Sequence, residues 1–166
     1  MIWKRTKMDN RDTITRRGNI RFSSKDITLA VKMVEKLSPT MDIVYYLMNR
    51  GDERSFVMML ISAEEIALET LLEKEKRDTD ILFEIDKEAS MYALICQDTK
   101  IDGGYHFAKR LLGSIETEGA KEVYCTDLEI RTTNHEIKFV IFKLIETYMK
   151  AKEEGRSNEI VFKSLN

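Results

Sequence analysis

Residues 77–99, RDTDILFEIDKEASMYALICQDT, contain two apolar runs, ILFEI and MYALIC, on either side of the polar stretch Asp86-Lys87-Glu88-Ala89-Ser90. Short runs of β-branched and aromatic residues joined by turn-forming residues are typical of a β-hairpin. We therefore expect two antiparallel strands, over roughly residues 80–86 and 91–97. Arg77 and Asp80 then lie at the open end of this hairpin.

Two elements are predicted before the hairpin. Ser23 or Ser24 can cap a helix that continues to about Leu37 and is ended by Ser38-Pro39. The short run DIVYYLM, Asp42–Met48, is rich in β-branched and aromatic residues and predicts a buried strand.

The segment Arg54–Lys76 is ambiguous between helix and strand. Its first half, FVMMLIS, has the composition of a strand. The segment contains no helix breaker, however, and places apolar residues along one helical face. We therefore expect a single long helix.

The region after the hairpin predicts two further helices and two further strands. They are a helix led by Asp102-Gly103-Gly104, a strand over Glu122–Ile130, a helix capped by Thr133 or Asn134 and ended by Gly155, and a short edge strand over Glu159–Phe162. The middle six elements form a ferredoxin-like βαββαβ unit, with helices on one face of a mainly antiparallel sheet. The predicted fold class is α+β, with an extra C-terminal helix and strand.

Composition limits the function. The chain has 166 residues, 43% hydrophobic and 34% charged, which suits one soluble domain over residues 11–166 behind a short lead-in over residues 1–10. A net charge of −2 with interspersed signs argues against nucleic-acid polymers, and no apolar run is long enough for membrane insertion. Cys96 and Cys125 lie in apolar runs, so we expect buried, reduced thiols in a cytoplasmic protein.

Four segments, in order, resemble the GGDEF family of bacterial diguanylate cyclases. Arg11–Phe22 is similar to the family's D-x-L-T-x-x-x-N-R-R-x-F, and Arg77-x-x-Asp80 resembles its R-x-x-D. Five residues, Ile81–Ile85, separate Asp80 from Asp86–Ser90, which stands where the family has its signature pentapeptide. Tyr92–Ile115 is similar to the family's strand, P-D-T and A-x-R-L helix, and Tyr148–Phe162 to its closing L-Y-x-A-K-x-x-G-R-N. The resemblance implies the fold of GGDEF domains and nucleotide cyclases.

The same resemblance implies that catalysis is lost. Diguanylate cyclases join two GTP molecules into cyclic di-GMP, with Mg²⁺ held by a carboxylate at the end of the first strand and another in the pentapeptide. Asp86-Lys87 replaces the glycine pair, and Glu88 is followed by Ala89 in place of the second acid. The alternative alignment on Glu88–Tyr92 also lacks both pairs. The predicted strand ends in Met48-Asn49-Arg50 instead of D-x-D, and GDERSFVMMLIS has no counterpart of the family's guanine-binding Asn and Asp. We expect no catalytic residue, no metal and no cofactor.

Arg77 and Asp80 are the candidate ligand-binding residues, because in the family R-x-x-D forms a product-inhibition site. An arginine can donate two hydrogen bonds to guanine O6 and N7, and a carboxylate can accept from guanine N1–H and N2–H. A surface salt bridge, or Arg77 capping its helix, would explain the same residues. Arg110 and Lys109 could contribute from the next helix, but the sequence does not place them.

Two functions of different classes follow. The first is a catalytically inactive signalling domain that serves as a cyclic di-GMP receptor through Arg77 and Asp80. The second is a module that dimerises or docks a protein partner without binding nucleotide, with apolar surface on the predicted helix Arg54–Lys76. A third hypothesis is an enzyme of altered chemistry that uses Glu88 and Asp86 at the hairpin tip.

Overall fold

The computed structural model describes residues 21–166. The predicted lead-in over residues 1–10 and most of Arg11–Phe22 lie outside the described residues. In chain order the elements are α1 (Ser24–Arg50), β1 (Phe56–Ala63), α2 (Leu68–Glu75), β2 (Asp80–Asp86), β3 (Met91–Gln97), α3 (Ile101–Thr117), β4 (Val123–Ile130), α4 (Ile137–Glu153) and β5 (Glu159–Leu165).

The strands form one sheet in the order β2-β3-β1-β4-β5. β1 is antiparallel to both β3 and β4, β2 is antiparallel to β3, and β5 is parallel to β4. The order of the first four strands is that of the ferredoxin-like unit, and α4 and β5 extend it at one edge. The predicted α+β class, the hairpin and the edge position of the last strand are confirmed.

The predicted break at Ser38-Pro39 and the strand over Asp42–Met48 are wrong, because α1 continues through Pro39 to Arg50. The buried side chains of α1 keep one helical stripe on both sides of the proline: Ala30, Met33, Leu37, Met41 and Val44. A proline inside a helix costs about 3 kcal/mol. Burying Met41 and Val44 contributes roughly 1.5–3 kcal/mol each, which offsets that cost.

The ends of α1 show why the helix starts and stops where it does. Ser23 is its N-cap, and forms a capping box in which the Ser23 hydroxyl accepts from Asp26 N while the Asp26 carboxylate accepts from Ser23 N. Gly51 ends the helix with φ +86°, a left-handed conformation that glycine adopts without strain.

The predicted helix over Arg54–Lys76 is also wrong. Its first half is β1, whose eight residues are all buried, and only Leu68–Glu75 is helical. β1 is the central strand, with alternate side chains packed against α1 and α4 on one face and against α2 and α3 on the other. A strand covered on both faces is apolar at every position, so its sequence carries no period of two.

The two helices of the βαββαβ unit, α2 and α3, lie on one face of the sheet as predicted, and α1 and α4 cover the other face. One further detail differs from the sequence prediction. The N-cap of α4 is Glu136, not Thr133 or Asn134, and no side chain caps this helix. The Thr133 hydroxyl instead donates to the side chain of Asn49 and secures the loop to the end of α1. Within residues 21–166, no helix has the length and hydropathy needed to cross a bilayer.

Candidate functional site

A cavity of about 170 Å³ lies where the start of β2, the end of β3 and the first half of α3 meet. We call it the arginine notch, and its lining residues are Arg77, Asp80, Cys96, Thr99, Gly103, His106, Phe107 and Arg110. The predicted pair Arg77 and Asp80 therefore lies in a cavity, with Arg110 from α3 at the same cavity. Lys109, the other cationic candidate on α3, does not line it.

Arg77 and Asp80 form an ion pair within one turn. Nη2 and Nε of Arg77 donate to Asp80 Oδ1 at 2.7 and 3.0 Å, and the backbone N–H of Arg77 donates to Asp80 Oδ2 at 2.9 Å. The Asp80 side chain is only 1% exposed, whereas that of Arg77 is 52% exposed. Both carboxylate oxygens of Asp80 therefore already accept hydrogen bonds from Arg77.

The guanidinium of Arg77 is also fixed to β3 and the loop after it. Nη2 donates to the Thr99 hydroxyl at 2.7 Å and to the Gln97 carbonyl at 3.0 Å. The hydrogen bond with Asp80 raises the pKa of Arg77 above its ordinary value. Arg77 is thus a preorganised cation, and its Nη1 makes no hydrogen bond to the described residues.

α3 contributes the other side of the notch through residues spaced at three, four and seven positions along one face. They are Gly103, His106, Phe107 and Arg110. The Arg110 guanidinium lies over the Phe107 ring, 5.2 Å from its centroid, and Arg110 Nε is 3.5 Å from Glu75 Oε1. Its side chain remains 56% exposed, so two half-exposed arginines line one cavity.

These features define what the notch can bind. Its one carboxylate, Asp80, is buried and paired, so the surface offered to a ligand is cationic. Guanidinium groups bind phosphate and guanine edges through paired hydrogen bonds. The cavity is smaller than the roughly 300 Å³ at which drug-sized ligand pockets begin. It can hold one base or phosphate, and the rest of a larger ligand would lie outside it.

The sequence predicted Arg77 and Asp80 and left Arg110 unplaced, and it did not indicate His106, Phe107 or Thr99 as site residues. His106 lies four residues before Arg110, and that spacing on a helix could have identified it. Thr99 could not have been identified, because its contact with Arg77 spans 22 residues of sequence.

The hairpin tip is a hydrogen-bonded turn. Asp86 Oδ1 accepts from the backbone N–H groups of Glu88 and Ala89 at 3.1 and 3.3 Å, and Ser90 N donates to Lys87 O. The Asp86 carboxylate is thus engaged in the turn, as Asp commonly is. Ser90 has φ +51°, in the left-handed region where glycine is the usual residue.

The end of β1 lies beside this tip, since Ser62 pairs with Met91 and Ala63 N donates to Ser90 O. Because the first strand of the unit is β1, the position that corresponds to the family's D-x-D lies here and not at Met48-Asn49-Arg50. The chain reads Ser62-Ala63-Glu64-Glu65 at this point, so the last strand residues carry no carboxylate. Glu64 and Glu65 follow the strand; the sequence reasoning missed them because it placed the first strand elsewhere.

Ser62 is held by α4. Its hydroxyl lies 2.6 Å from the Tyr148 hydroxyl in a buried hydrogen bond, and burial raises the pKa of Tyr148. Cavities of about 300 and 410 Å³ flank this region, and both are lined by Glu64 and Glu65. Among the described residues, no three His, Cys, Asp or Glu side chains are grouped so as to hold a metal ion.

Comparison with known proteins gives a consistent picture of the fold. No protein-family model and no curated protein sequence matches the chain. Solved structures do match it. The active GGEEF domain of a Vibrio cholerae diguanylate cyclase has a TM-score of 0.57 at 11% identity, with 75% of this chain and 92% of that chain covered.

Two further structures match at a TM-score of 0.61. The coiled coil and GGDEF domain of DgcB from Caulobacter crescentus, in complex with c-di-GMP, is 8% identical, with 78% of this chain and 80% of that chain covered. The Pseudomonas aeruginosa diguanylate cyclase SiaD, in complex with its activator SiaC, is 15% identical, with coverage of 84% and 66%. The chain therefore has the fold of the GGDEF domains.

Proposed function

We propose that this chain is a catalytically inactive GGDEF-like signalling domain that binds cyclic di-GMP at the arginine notch. The observation that carries the proposal is the convergence of two half-exposed arginines, Arg77 and Arg110, on one cavity. DgcB, which shares the fold, was solved in complex with c-di-GMP. Arg77 contacts the nucleotide directly in this proposal, and the buried Asp80 carboxylate orients the Arg77 guanidinium through its hydrogen bonds.

The absence of catalysis is the second part of the proposal. A cyclase needs carboxylates beside the hairpin tip and backbone free of side chains around the nucleotide. Ser62, near the end of β1, is hydrogen-bonded to Tyr148 and supplies no carboxylate; Glu64 and Glu65 follow the strand instead of ending it. Both alignments of the pentapeptide place side chains at the glycine positions. Loss of a single charge-stabilising group typically reduces a rate by two to three decades. This chain departs from the family pattern at the first-strand carboxylate, at the glycine pair and at the acidic pair.

The receptor role is tested by calorimetric titration of cyclic di-GMP into the wild type and three single variants. We expect Arg77→Ala and Arg110→Ala each to weaken binding at least about tenfold, equivalent to about 1.4 kcal/mol. Arg54→Ala is the matched control, because Arg54 is an exposed arginine outside the notch. Absence of binding by the wild type at about 1 mM nucleotide would refute the receptor role.

The loss of catalysis is tested separately by incubating the protein with GTP and Mg²⁺ or Mn²⁺. We expect no cyclic di-GMP and no GTP consumption above that of the buffer. Turnover abolished by Glu64→Gln or Glu88→Gln would instead favour an enzyme of altered chemistry at the end of β1. Glu118→Gln, an exposed residue at the end of α3, is the matched control.

A second candidate function is a protein-interaction module, but its surface differs from the predicted one. The FVMMLIS residues are buried in β1 and cannot dock a partner. The outer faces of α1 and α4 instead expose large apolar side chains: Ile27, Val31, Ile43, Tyr46, Phe139 and Phe142. A photocrosslinking residue at position 142 should then trap a partner in cells, and one at the exposed position Glu116 of α3, on the other side of the sheet, should not. Equal labelling at both positions would contradict this function.

A further inference from the structure

β5 is an open edge of the sheet within residues 21–166. It lies last in the strand order and pairs along one side, with β4. The Leu165 carbonyl accepts from Arg131 N at 3.1 Å, which fixes the residues of β5 that face β4. Because strand residues alternate, the N–H and C=O groups of Ile160, Phe162 and Ser164 point away from β4. Another strand can bind to these groups.

The side chains of β5 form a self-complementary pattern around Val161. Glu159 and Lys163 have opposite charges, lie two residues to either side of Val161, and occupy the same face of the sheet. Glu159 Oε1 accepts hydrogen bonds from Arg156, whereas Glu159 Oε2 accepts none from the described residues. Ile160 and Phe162 lie on the other face. Phe162 is 50% exposed and contacts the Tyr105 ring of α3 with a centroid distance of 5.4 Å. A second β5 running antiparallel can match both the charges and the apolar side chains.

We propose that β5 pairs with β5 of a second copy of this chain, antiparallel and with the two-fold axis at Val161. In this register Glu159 is opposite Lys163 of the partner subunit, and Ile160 is opposite Phe162 of the partner subunit. Directly opposite residues in an antiparallel pair share a face, so the two charged residues face each other and the two apolar residues face each other. The two sheets join into one sheet of ten strands.

The charges select this register and this partner. A lysine within an edge strand normally prevents pairing with another strand, because its charge would lie against apolar side chains. With the axis at Val161, each Lys163 meets a glutamate. Moving the axis to Phe162 would place Lys163 opposite Val161 and Glu159 opposite Leu165, and both charge pairs would be lost. The pattern therefore fits a second copy better than an unrelated apolar strand.

Charge reversal tests the proposal by light scattering on the full chain. We expect the wild type to dimerise, and Lys163→Glu and Glu159→Lys each to weaken dimerisation at least about tenfold. An equimolar mixture of the two variants should recover the dimer, since each variant then meets the opposite charge. This recovery also shows that both variants are folded. Lys32→Glu makes the same change of charge on the exposed face of α1 and should leave dimerisation unaltered.

Disulfide trapping tests the register. Opposite residues in a non-hydrogen-bonded antiparallel pair have Cα atoms about 4.5 Å apart, within the range that a disulfide spans. A mixture of Glu159→Cys and Lys163→Cys should form a mixed disulfide dimer under oxidation, and neither variant should crosslink alone. Cys96 and Cys125 are buried and should not contribute.

Three results would overturn the proposal: a wild type that is monomeric at all concentrations tested, a dimer insensitive to both charge reversals, or no mixed disulfide. Pairing through β5 does not require a ligand at the arginine notch. It can therefore fail without affecting cyclic di-GMP binding, and the reverse is equally true.

Discussion

Asp127 is a buried carboxyl without a hydrogen-bond partner among the described residues. It lies on β4, both of its oxygens are buried, and Oδ2 is 3.3 Å from the position that a Cβ on Gly104 would occupy. Burial raises the pKa of Asp127 well above its ordinary value. The folded protein therefore favours the protonated, neutral form.

Asp127→Asn should stabilise the protein at neutral pH. With a raised folded-state pKa, the contribution of Asp127 to stability is fully present below about pH 4, the ordinary range of the carboxyl, and is lost as pH rises through the folded-state value. An asparagine has no such dependence, so its advantage should grow from pH 4 to pH 8. Urea unfolding across this range measures it, with the exposed Asp78→Asn as control; a difference independent of pH would contradict the assignment.

The Arg77–Asp80 pair should contribute to stability as well as to ligand binding. Removing Arg77 leaves the buried Asp80 carboxylate without its main donors, so we expect Arg77→Ala to lower the free energy of unfolding by about 1–2 kcal/mol. The half-exposed guanidinium limits the effect through solvent screening. A double-mutant cycle with Asp80→Ala measures the coupling. Additive effects of the two substitutions would show that the pair is not energetically coupled.

At the scale of elements, Pro39 lowers the stability of α1. A proline removes one hydrogen bond and crowds the preceding turn. Pro39→Ala should therefore raise the free energy of unfolding by roughly 1–3 kcal/mol. Chemical denaturation measures this, with Glu35→Ala on the same helix as control. An unchanged or lower stability would contradict this expectation.

α1 and β1 also show where sequence patterns stop predicting elements. The hairpin, α3, β4 and β5 followed from local signals, namely alternation, turn residues and helical spacing. Pro39 is a strong local signal, yet burial of Met41 and Val44 outweighs it. The FVMMLIS run is almost entirely apolar because β1 is covered on both faces, and that burial depends on α1 and α4 on one face and on α2 and α3 on the other.

The candidate site also contains residues that local sequence predicts and residues that only the packing of the elements brings together. Arg77 and Asp80 are three residues apart, so their contact could be predicted from the chain alone. Arg110 and His106 reach the notch because α3 packs beside α2 and against the sheet. The wrong position of β1 also placed the D-x-D comparison 14 residues too early, at Met48 instead of Ser62.

At the scale of the whole molecule, the notch joins segments that are distant in sequence. A ligand that contacts Arg77 and Arg110 connects the α2–β2 turn to α3, and it should stabilise the fold as a unit. Cyclic di-GMP at about one hundred times its dissociation constant should add about 2.7 kcal/mol to the free energy of unfolding. Thermal unfolding with and without nucleotide measures this stabilisation, which should fall by about 1.3 kcal/mol or more in Arg77→Ala at the same nucleotide concentration.

The central position of β1 also bears on how the chain is made. β1 pairs with β3 and with β4, and Phe56 meets Ile130 across the sheet. A ribosome has therefore to synthesise more than sixty residues beyond β1 before the strand gains its second neighbour. Until then FVMMLISA is an uncovered apolar segment, of the kind that aggregates or recruits chaperones during translation. Nascent chains released before β4 emerges should therefore depend on chaperones far more than the finished protein does.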